Sequence, residues 1–496
     1  MDCGAPPLFR IACVNISTGD GKLIATVARS GVPSAITTDS NWTWTLAPSE
    51  SESDAAGEEW KASKTLLAAS NIVRLSLCVS QPSNDTRLQF NRLHELLHSQ
   101  PLAIKDFEIR CWFSALAGQT VAEVAEREGF LRALANALFA PDSMLRPDRL
   151  VVSGGINECD MIKMIEQISS SQTVPAERFR FRRLVCDGWS WPYNQVTGSM
   201  GQNLEELLRL IGGAESLLIP GCEETSKHMS VLDIAAIRSC KSLDVSVSSS
   251  TWSLAPASTD DQANEKSSQV QSLTLRLSGH DDSDASKAVE WLLRRMGRSL
   301  LSLTLMPYCY CMSFCGEAVE AIVRECPSLE ALDVGRCLTS SFVAQLVDSL
   351  GASGSSRLRQ LALECAEPVE TLSPLVAALA TPLHPLSRSL QELRLNIGDP
   401  WHTDEDANLL FTAIGEMLDV NERLERVTIQ CVEGTVVDHA RVFAVVPAPL
   451  RCRLALLSAV WRYELPELAL QTMFQMAGRR TRRLRFELLD LQSIFG

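Results

Sequence analysis

Apolar residues recur along the chain with the spacing L-x-x-L-x-L, so that the first, fourth and sixth positions of each motif are apolar. The central apolar residues of these triplets lie at positions 75, 107, 150, 184, 217, 243, 273, 303, 332, 361, 393 and 427. The interval between neighbouring centres ranges from 26 residues (217 to 243) to 43 residues (107 to 150). A motif that recurs at such similar intervals indicates a repeat protein.

Each triplet alternates apolar and polar residues, which is the pattern of a half-buried β-strand. The segments between triplets have helical periodicity. In VAEVAEREGFLRALANALF, for example, we expect Val121, Val124, Leu131, Leu134 and Leu138 to share one buried face. Repeated strand–helix units make right-handed crossovers between parallel strands, and neighbouring units stack because one unit cannot bury its own apolar face. The pattern therefore predicts an α/β solenoid with a parallel sheet on its concave face and helices on its convex face.

The best-formed unit is CPSLEALDVGRC, residues 326–337, and it resembles a leucine-rich repeat of the cysteine-containing subtype. The long helical segments between the triplets are similar to those of the ribonuclease-inhibitor-like branch. Cys222 and Cys337 occupy the ninth position counted from the first apolar residue of their motifs, where the family keeps Asn or Cys. The resemblance implies a right-handed horseshoe-shaped solenoid over roughly residues 66–440, and a fold alone implies no function.

The two ends of the chain depart from the repeat pattern. Residues 9–14 and 42–46 are interpreted as degenerate first strands, and the Arg-rich run 479–485 as the solvated end of a helix. We therefore expect three regions: an N-terminal cap with degenerate repeats over 1–65, an array of about 12 leucine-rich repeats over 66–440, and a C-terminal helical cap with an Arg-rich end over 441–496.

Composition narrows the class of partner and the compartment. The chain has 46 Lys+Arg against 60 Asp+Glu, a net charge of −14, which disfavours a general surface for nucleic acid or anionic membranes. No apolar run is long enough to span a bilayer, and the first residues do not form a signal peptide. We therefore expect an intracellular protein, cytoplasmic or nuclear, whose 16 cysteines are reduced.

Two motifs suggest metal binding. His94 and His98 form an HExxH string, the signature of zinc proteases, but both lie on the polar side of their predicted helix. Cys309, Cys311 and Cys315 form C-x-C-x₃-C, which lacks the paired knuckles of structural zinc sites. We favour a solvated helix face for the first motif and buried thiols for the second. Phosphate-binding loops and nucleophile elbows are also missing from the sequence, so we predict no enzyme activity and no cofactor.

Aromatic and charged residues mark a candidate protein-binding surface on the strands and on the turns that follow them. Such residues are typical anchors of interfaces, although aromatic side chains can equally fill the core of long turns. The expected partner is a protein rather than a small molecule. The candidate binding residues are Arg110, Trp112, Asp187, Trp189, Trp191, Tyr193, Tyr308 and Tyr310. The pattern also points Asp244, Arg276, Asp333, Glu364, Arg394 and Gln430 outward from the strands.

A second function remains open at the sequence level. The segment LPELALQTMF, residues 465–474, resembles the start of an F-box, which would make the chain a substrate adaptor of a ubiquitin ligase. An F-box usually precedes its repeats, whereas this segment follows them. A helical cap over the last repeat is the interpretation that we favour.

Overall fold

A computed structural model describes residues 9–19, 22–29, 42–47, 70–79, 104–111, 120–139, 147–154, 156–169, 181–187, 189, 199–220, 229–248, 268–278, 282–307, 316–335, 340–353, 356–365, 372–397, 413–418, 420–421, 423–432 and 483–489. The chain divides into two compact units. The first comprises residues 1–246 and 268–270, and the second comprises residues 247–267 and 271–496.

Strands and helices alternate along the described part of the chain. The strands are β1 Phe9–Gly19, β2 Lys22–Arg29, β3 Trp42–Ala47, β4 Ser70–Val79, β5 Ile104–Cys111, β6 Arg149–Gly154, β7 Phe181–Asp187, β8 Ala214–Ile219, β9 Cys240–Ser248, β10 Ser272–Ser278, β11 Ser302–Pro307, β12 Ala331–Val334, β13 Gln360–Cys365, β14 Glu392–Ile397, β15 Arg426–Val432 and β16 Arg483–Leu489. The helices are α1 Val121–Phe139, α2 Glu158–Ser169, α3 Ser199–Leu210, α4 Val231–Ala236, α5 Asp282–Met296, α6 Gly316–Glu325, α7 Ser340–Ala352, α8 Ser373–Ala380 and α9 Pro385–Ser389.

In the first unit, the strands from β4 onward pair in chain order and in parallel, and β1 pairs with β4 on the other side. β1, β2 and β3 form an antiparallel meander. The pairing aligns the predicted centres residue for residue, in the order Leu75, Phe107, Leu150, Leu184, Leu217 and Leu243. The repeat register predicted from the sequence is therefore confirmed in this unit.

In the second unit, β10 to β16 pair in chain order and every pair is parallel. Its aligned centres are Leu273, Leu303, Leu332, Leu361, Leu393, Val427 and Leu484. The side chains of the first five are at most 2% exposed, so the ladder of central leucines forms the core of the unit.

Consecutive helices lie side by side, α1 to α4 in the first unit and α5 to α8 in the second. Parallel strands that follow one another in chain order, joined by right-handed crossovers, place all their helices on the same side of the sheet. Each unit is thus an α/β solenoid of the leucine-rich-repeat class, with a parallel sheet in one layer and helices in the other. The predicted fold class is confirmed.

The buried face predicted for α1 is wrong over its first two turns. Val121 is 88% exposed and Val124 is also exposed, whereas Phe130, Leu131 and Leu134 are fully buried. The helix has 19 residues against 12 in its neighbour α2. At 1.5 Å per residue it is about 10 Å longer, so it extends beyond the surface against which it packs.

A buried ion pair joins α1 to α2 where the two helices are in contact. The guanidinium of Arg127 donates to both carboxylate oxygens of Asp160, with a distance of 2.9 Å from Nε to Oδ1. Both residues are at most 5% exposed. Asp160 also accepts a hydrogen bond from the backbone N–H of Asn157, at 2.9 Å, and so caps the start of α2. Two repeats are therefore held together by one carboxylate.

A close backbone contact joins α3 to α4. A methyl group placed on Gly201 would lie 2.2 Å from the backbone oxygen of Asp233, so only glycine fits. The buried carboxylate of Asp233 accepts hydrogen bonds from the N–H of Gly201, at 2.8 Å, and from the hydroxyl of Ser230, at 2.6 Å. Burial raises the pKa of Asp233, although these hydrogen bonds oppose the shift. The carboxylate therefore binds one helix to the start of the next.

In the second unit, the buried amide of Asn421 ties three segments together. Its Nδ2 donates to the backbone oxygen of Leu379, at 3.0 Å, and to Oγ of Ser387, at 3.3 Å. Its Oδ1 accepts from the backbone N–H groups of Arg423 and Leu424, both at 2.9 Å. One side chain thus satisfies polar groups at the end of α8, in α9 and before β15.

The C-terminal part of the Arg-rich run has a different secondary structure from the one predicted. Residues 483–489 form β16, which pairs with β15 in parallel, rather than the end of a helix. The sequence RLRFELL alternates arginine or glutamate with Leu484, Phe486 and Leu488, which is the period of a strand. Because of its arginines, this segment resembles the solvated end of a helix in the sequence, although it forms a further repeat-like strand.

Candidate functional site

The second unit has a sheet face that points away from its helices, and we call it the helix-free face of this unit. It is built of two rows of side chains, because residues that alternate along a strand point to opposite sides. The pairing places Thr274, Thr304, Asp333, Ala362, Arg394 and Thr428 in the first row. Arg276, Met306, Glu364, Asn396 and Gln430 belong to the second row, with Gly335 just beyond the end of β12.

A depression with a volume of about 310 Å³ opens in this face. Two of its lining residues leave space for it, because Ala362 has only a methyl group and Gly335 has no side chain. The backbone N–H of Gly335 donates to the oxygen of Leu305, at 2.9 Å, so the pairing of β12 with β11 continues through the glycine. The lining residues are Arg276, Met306, Pro307, Asp333, Gly335, Ala362, Leu363, Glu364, Arg394 and Asn396.

The positive and negative residues of the depression follow a definite order from strand to strand. Arg276 lies on β10 and Arg394 on β14, whereas Asp333 and Glu364 lie on the strands between them. Neighbouring strands are about 4.8 Å apart, so the two arginine positions are separated by about 19 Å along the sheet. A methyl group on Gly335 would lie 3.5 Å from Oε2 of Glu364, which places this carboxylate over the glycine. Two acidic groups thus occupy the centre and two guanidinium groups the ends.

The acceptors in the depression are incompletely satisfied within the described part of the chain. The carboxylate of Asp333 is half-buried and makes no hydrogen bond or ion pair there. Its pKa is raised, mainly by burial and further by the charge of Glu364, while the charge of Arg394 opposes the shift. Oδ1 of Asn396 is buried and has no hydrogen-bond partner either. A ligand with hydrogen-bond donors would satisfy the carboxylate of Asp333.

One apolar side chain borders these charges. Met306 is 37% exposed, which is unusual for a large hydrophobic residue in a strand of this unit. A flexible thioether beside charged groups is suited to contact with a partner. The depression therefore offers apolar contact together with directed polar groups.

In the first unit, three residues of the corresponding sheet face are buried. Glu108, Val151 and Val185 occupy one row of that face, and they are only 6%, 5% and 4% exposed. These three residues are therefore inaccessible to a partner. Leu218 and Asp244, farther along the same row, are half-buried.

Arg110 and Asp187 occupy equivalent positions on β5 and β7, with Ser153 of β6 between them, as the sequence predicted. Asp187 is exposed, and its Oδ2 accepts a hydrogen bond from the hydroxyl of Ser153, at 3.2 Å. The side chain of Arg110 lies outside the described part of the structure. Asp187 is therefore available at the surface.

Trp189 does not have the exposed position that an interface anchor requires. It is 4% exposed, and its indole N–H donates to the backbone oxygen of Val152, at 3.0 Å. The side chain fills the turn after β7, which is the alternative that the sequence left open. The other aromatic candidates, Trp112, Trp191, Tyr193, Tyr308 and Tyr310, lie outside the described residues.

The two metal-binding motifs, at residues 94–98 and 309–315, also lie outside the described residues, as does the F-box-like segment 465–474. Within the described ranges, no group of three His, Cys, Asp or Glu side chains could hold a metal ion. Cys186, Cys240 and Cys326 are free and buried there, and burial raises the pKa of each, to about 12 for the last two. None of the described helices combines the length and apolarity needed to cross a bilayer.

The sequence pointed Arg276, Asp333, Glu364 and Arg394 outward but did not bring them together as one site. It missed Met306, Gly335, Ala362 and Asn396 altogether. The repeat register contains a signal for this depression. Ala362 is a small residue at an outward strand position, and the neighbouring repeats have larger side chains at that position.

Comparison with known proteins identifies no family for this chain. No protein family matches the chain, and no curated protein does so either. Among the solved structures that match is the crystal structure of the Rad7 and Elc1 complex from yeast. The identity is 14%, the TM-score is 0.34, and the match covers 76% of this chain and 81% of the other. A similarity of this size carries no argument about function.

Proposed function

We propose that this chain is a non-enzymatic protein-interaction module, and that it binds a partner protein through the helix-free face of its second unit. The observation that carries the proposal is the depression over β10 to β14, where charges of both signs surround an exposed methionine. A preformed surface of this kind loses little conformational freedom on binding, and stacked repeats are well suited to provide it.

The polarity of the depression favours a protein partner over a small molecule. Pockets for small molecules are lined mainly by apolar side chains and enclose most of the ligand. Here five of the ten lining residues are polar or charged, and Arg394 and Met306 are exposed at the border. Arginine and methionine are enriched at protein interfaces, which further supports this choice.

The test is site-specific photo-crosslinking in cells. A photoreactive phenylalanine analogue replaces Met306, the exposed side chain at the border of the depression, and in a control it replaces Ala377, an exposed alanine on α8. We expect one or a few protein adducts from the position at the depression and none of these from the helix position. The same adducts from both positions, or none from Met306 in chains that melt like the wild type, would refute the proposal.

A further inference from the structure

We propose that the depression receives a long basic side chain, lysine or arginine, from an extended segment of the partner protein. This inference rests on the proposed function and specifies its chemistry. It follows from the position of the two carboxylates, Asp333 on β12 and Glu364 on β13, between the arginine positions on β10 and β14.

The first argument is the set of acceptors that converge in the depression. Asp333 makes no hydrogen bond in the described part of the chain, and Oδ1 of Asn396 is buried without a partner there. The carboxylate of Glu364 lies over Gly335, on the same side. An unpaired buried acceptor is costly, and a charged donor satisfies it best. Lysine offers three N–H donors and arginine five, which suits a site with several acceptors.

The second argument is charge complementarity. Asp333 is half-buried and next to a second carboxylate, so its negative charge is unfavourable in the free chain, as its raised pKa indicates. A cation bound between the two carboxylates would offset this repulsion. Arg394 is exposed and lowers the pKa of Asp333 through its charge, but burial and Glu364 keep this pKa raised. A further positive charge beside Asp333 would therefore be favourable.

The third argument concerns the ends. Arg276 and Arg394 flank the acidic centre on β10 and β14. Guanidinium groups recognise carboxylates in a planar, two-bonded geometry. A partner segment with only basic residues would be repelled by the positive charge at both ends, so a single basic residue at the centre is favoured.

The test selects ligands from a display library of short random peptides on the purified full chain. A parallel selection uses Ala362→Trp, which fills the depression, and a matched Ala377→Trp control on α8. We expect peptides with a fixed lysine or arginine that bind the wild type and the control. Their Kd, measured by fluorescence anisotropy, should rise at least about tenfold in Ala362→Trp and when glutamine replaces the basic residue.

A charge exchange makes the test sharper. Asp333→Lys should abolish binding of the selected peptide, and a peptide with glutamate in place of its basic residue should recover at least about tenfold in affinity on that variant. Peptides that depend on the depression but carry no basic residue would overturn the inference and leave the proposed function intact. Absence of any peptide that depends on the depression also overturns the inference. Failure of the crosslinking at Met306 as well would remove the proposed function too.

Discussion

Asn421 provides the most direct measure of how one repeat is fastened to the next. The change Asn421→Ala removes four hydrogen bonds, two donated and two accepted. Leu379 and Leu424 are buried, so water cannot replace the amide at their backbone groups without opening the structure. Arg423 is exposed, and we expect water to satisfy its N–H in the variant.

The size of the effect follows from the two buried groups. An unsatisfied buried donor or acceptor destabilises a fold by about 1–3 kcal/mol, which gives about 2–6 kcal/mol for Asn421→Ala. The matched control is Ser387→Ala, which loses only the longest of the four contacts, at 3.3 Å, and should lower the free energy of unfolding by less than about 1.5 kcal/mol.

The assay combines urea denaturation with hydrogen exchange. Because stacked repeats can open locally, exchange should accelerate in peptides from α8, β14 and β15 before it does so elsewhere. A loss below about 1 kcal/mol in Asn421→Ala would show that its hydrogen bonds are not needed to hold these segments. Faster exchange spread evenly over both units would show that the link is not local.

Four further predictions test the register, two helix contacts and the central carboxylate. Leu332→Asp should lower the free energy of unfolding by at least about 3 kcal/mol because it buries a charge, whereas Asp333→Ala should lower it by less than about 1 kcal/mol. Equal melting temperatures of the two variants would mean that the register is wrong. Gly201→Ala should destabilise the fold by at least about 1 kcal/mol in urea denaturation, because its methyl group would lie 2.2 Å from a backbone oxygen of α4; wild-type stability would contradict that contact. Asp160→Ala removes the carboxylate that pairs with the buried guanidinium of Arg127, which should cost about 3–5 kcal/mol in the same assay, and a loss below about 1 kcal/mol would refute the structural role of the ion pair. The raised pKa of Asp333 means that its carboxyl group binds a proton more tightly in the folded chain than in the unfolded one. The stability of the wild type relative to Asp333→Asn should therefore fall as the pH rises from the ordinary pKa of 3.8 through the raised pKa. A stability difference between the two chains that does not change with pH in urea denaturation would contradict the shift.

Much of the fold could be predicted from the sequence because the repeat signal is local and periodic. The central leucines, such as Leu332 and Leu361, define both the strand and its register. The first turns of α1 could not be predicted in the same way, since the exposure of Val121 depends on the shorter length of the neighbouring helix. β16 was missed because its arginines outweighed its alternation of apolar residues.

The site was less predictable than the fold, for a physical reason. Sequence reasoning searches for side chains that are present, such as the ring of Trp189, and the structure places that ring in the core. The depression exists where side chains are small, at Ala362 and Gly335. Its polar groups come from strands that are distant in the chain, and only the pairing register brings them together.

The constant register of the sheet has a consequence for changes in chain length. Neighbouring centres are paired residue for residue, although they are 26 to 57 residues apart in the sequence. An insertion of one residue within a strand would turn its core side chains to the opposite face. An insertion between strands leaves both faces intact. Natural variation in length should therefore collect in the connections, while the two rows of the helix-free face change only by substitution, which lets specificity diverge on an unaltered scaffold.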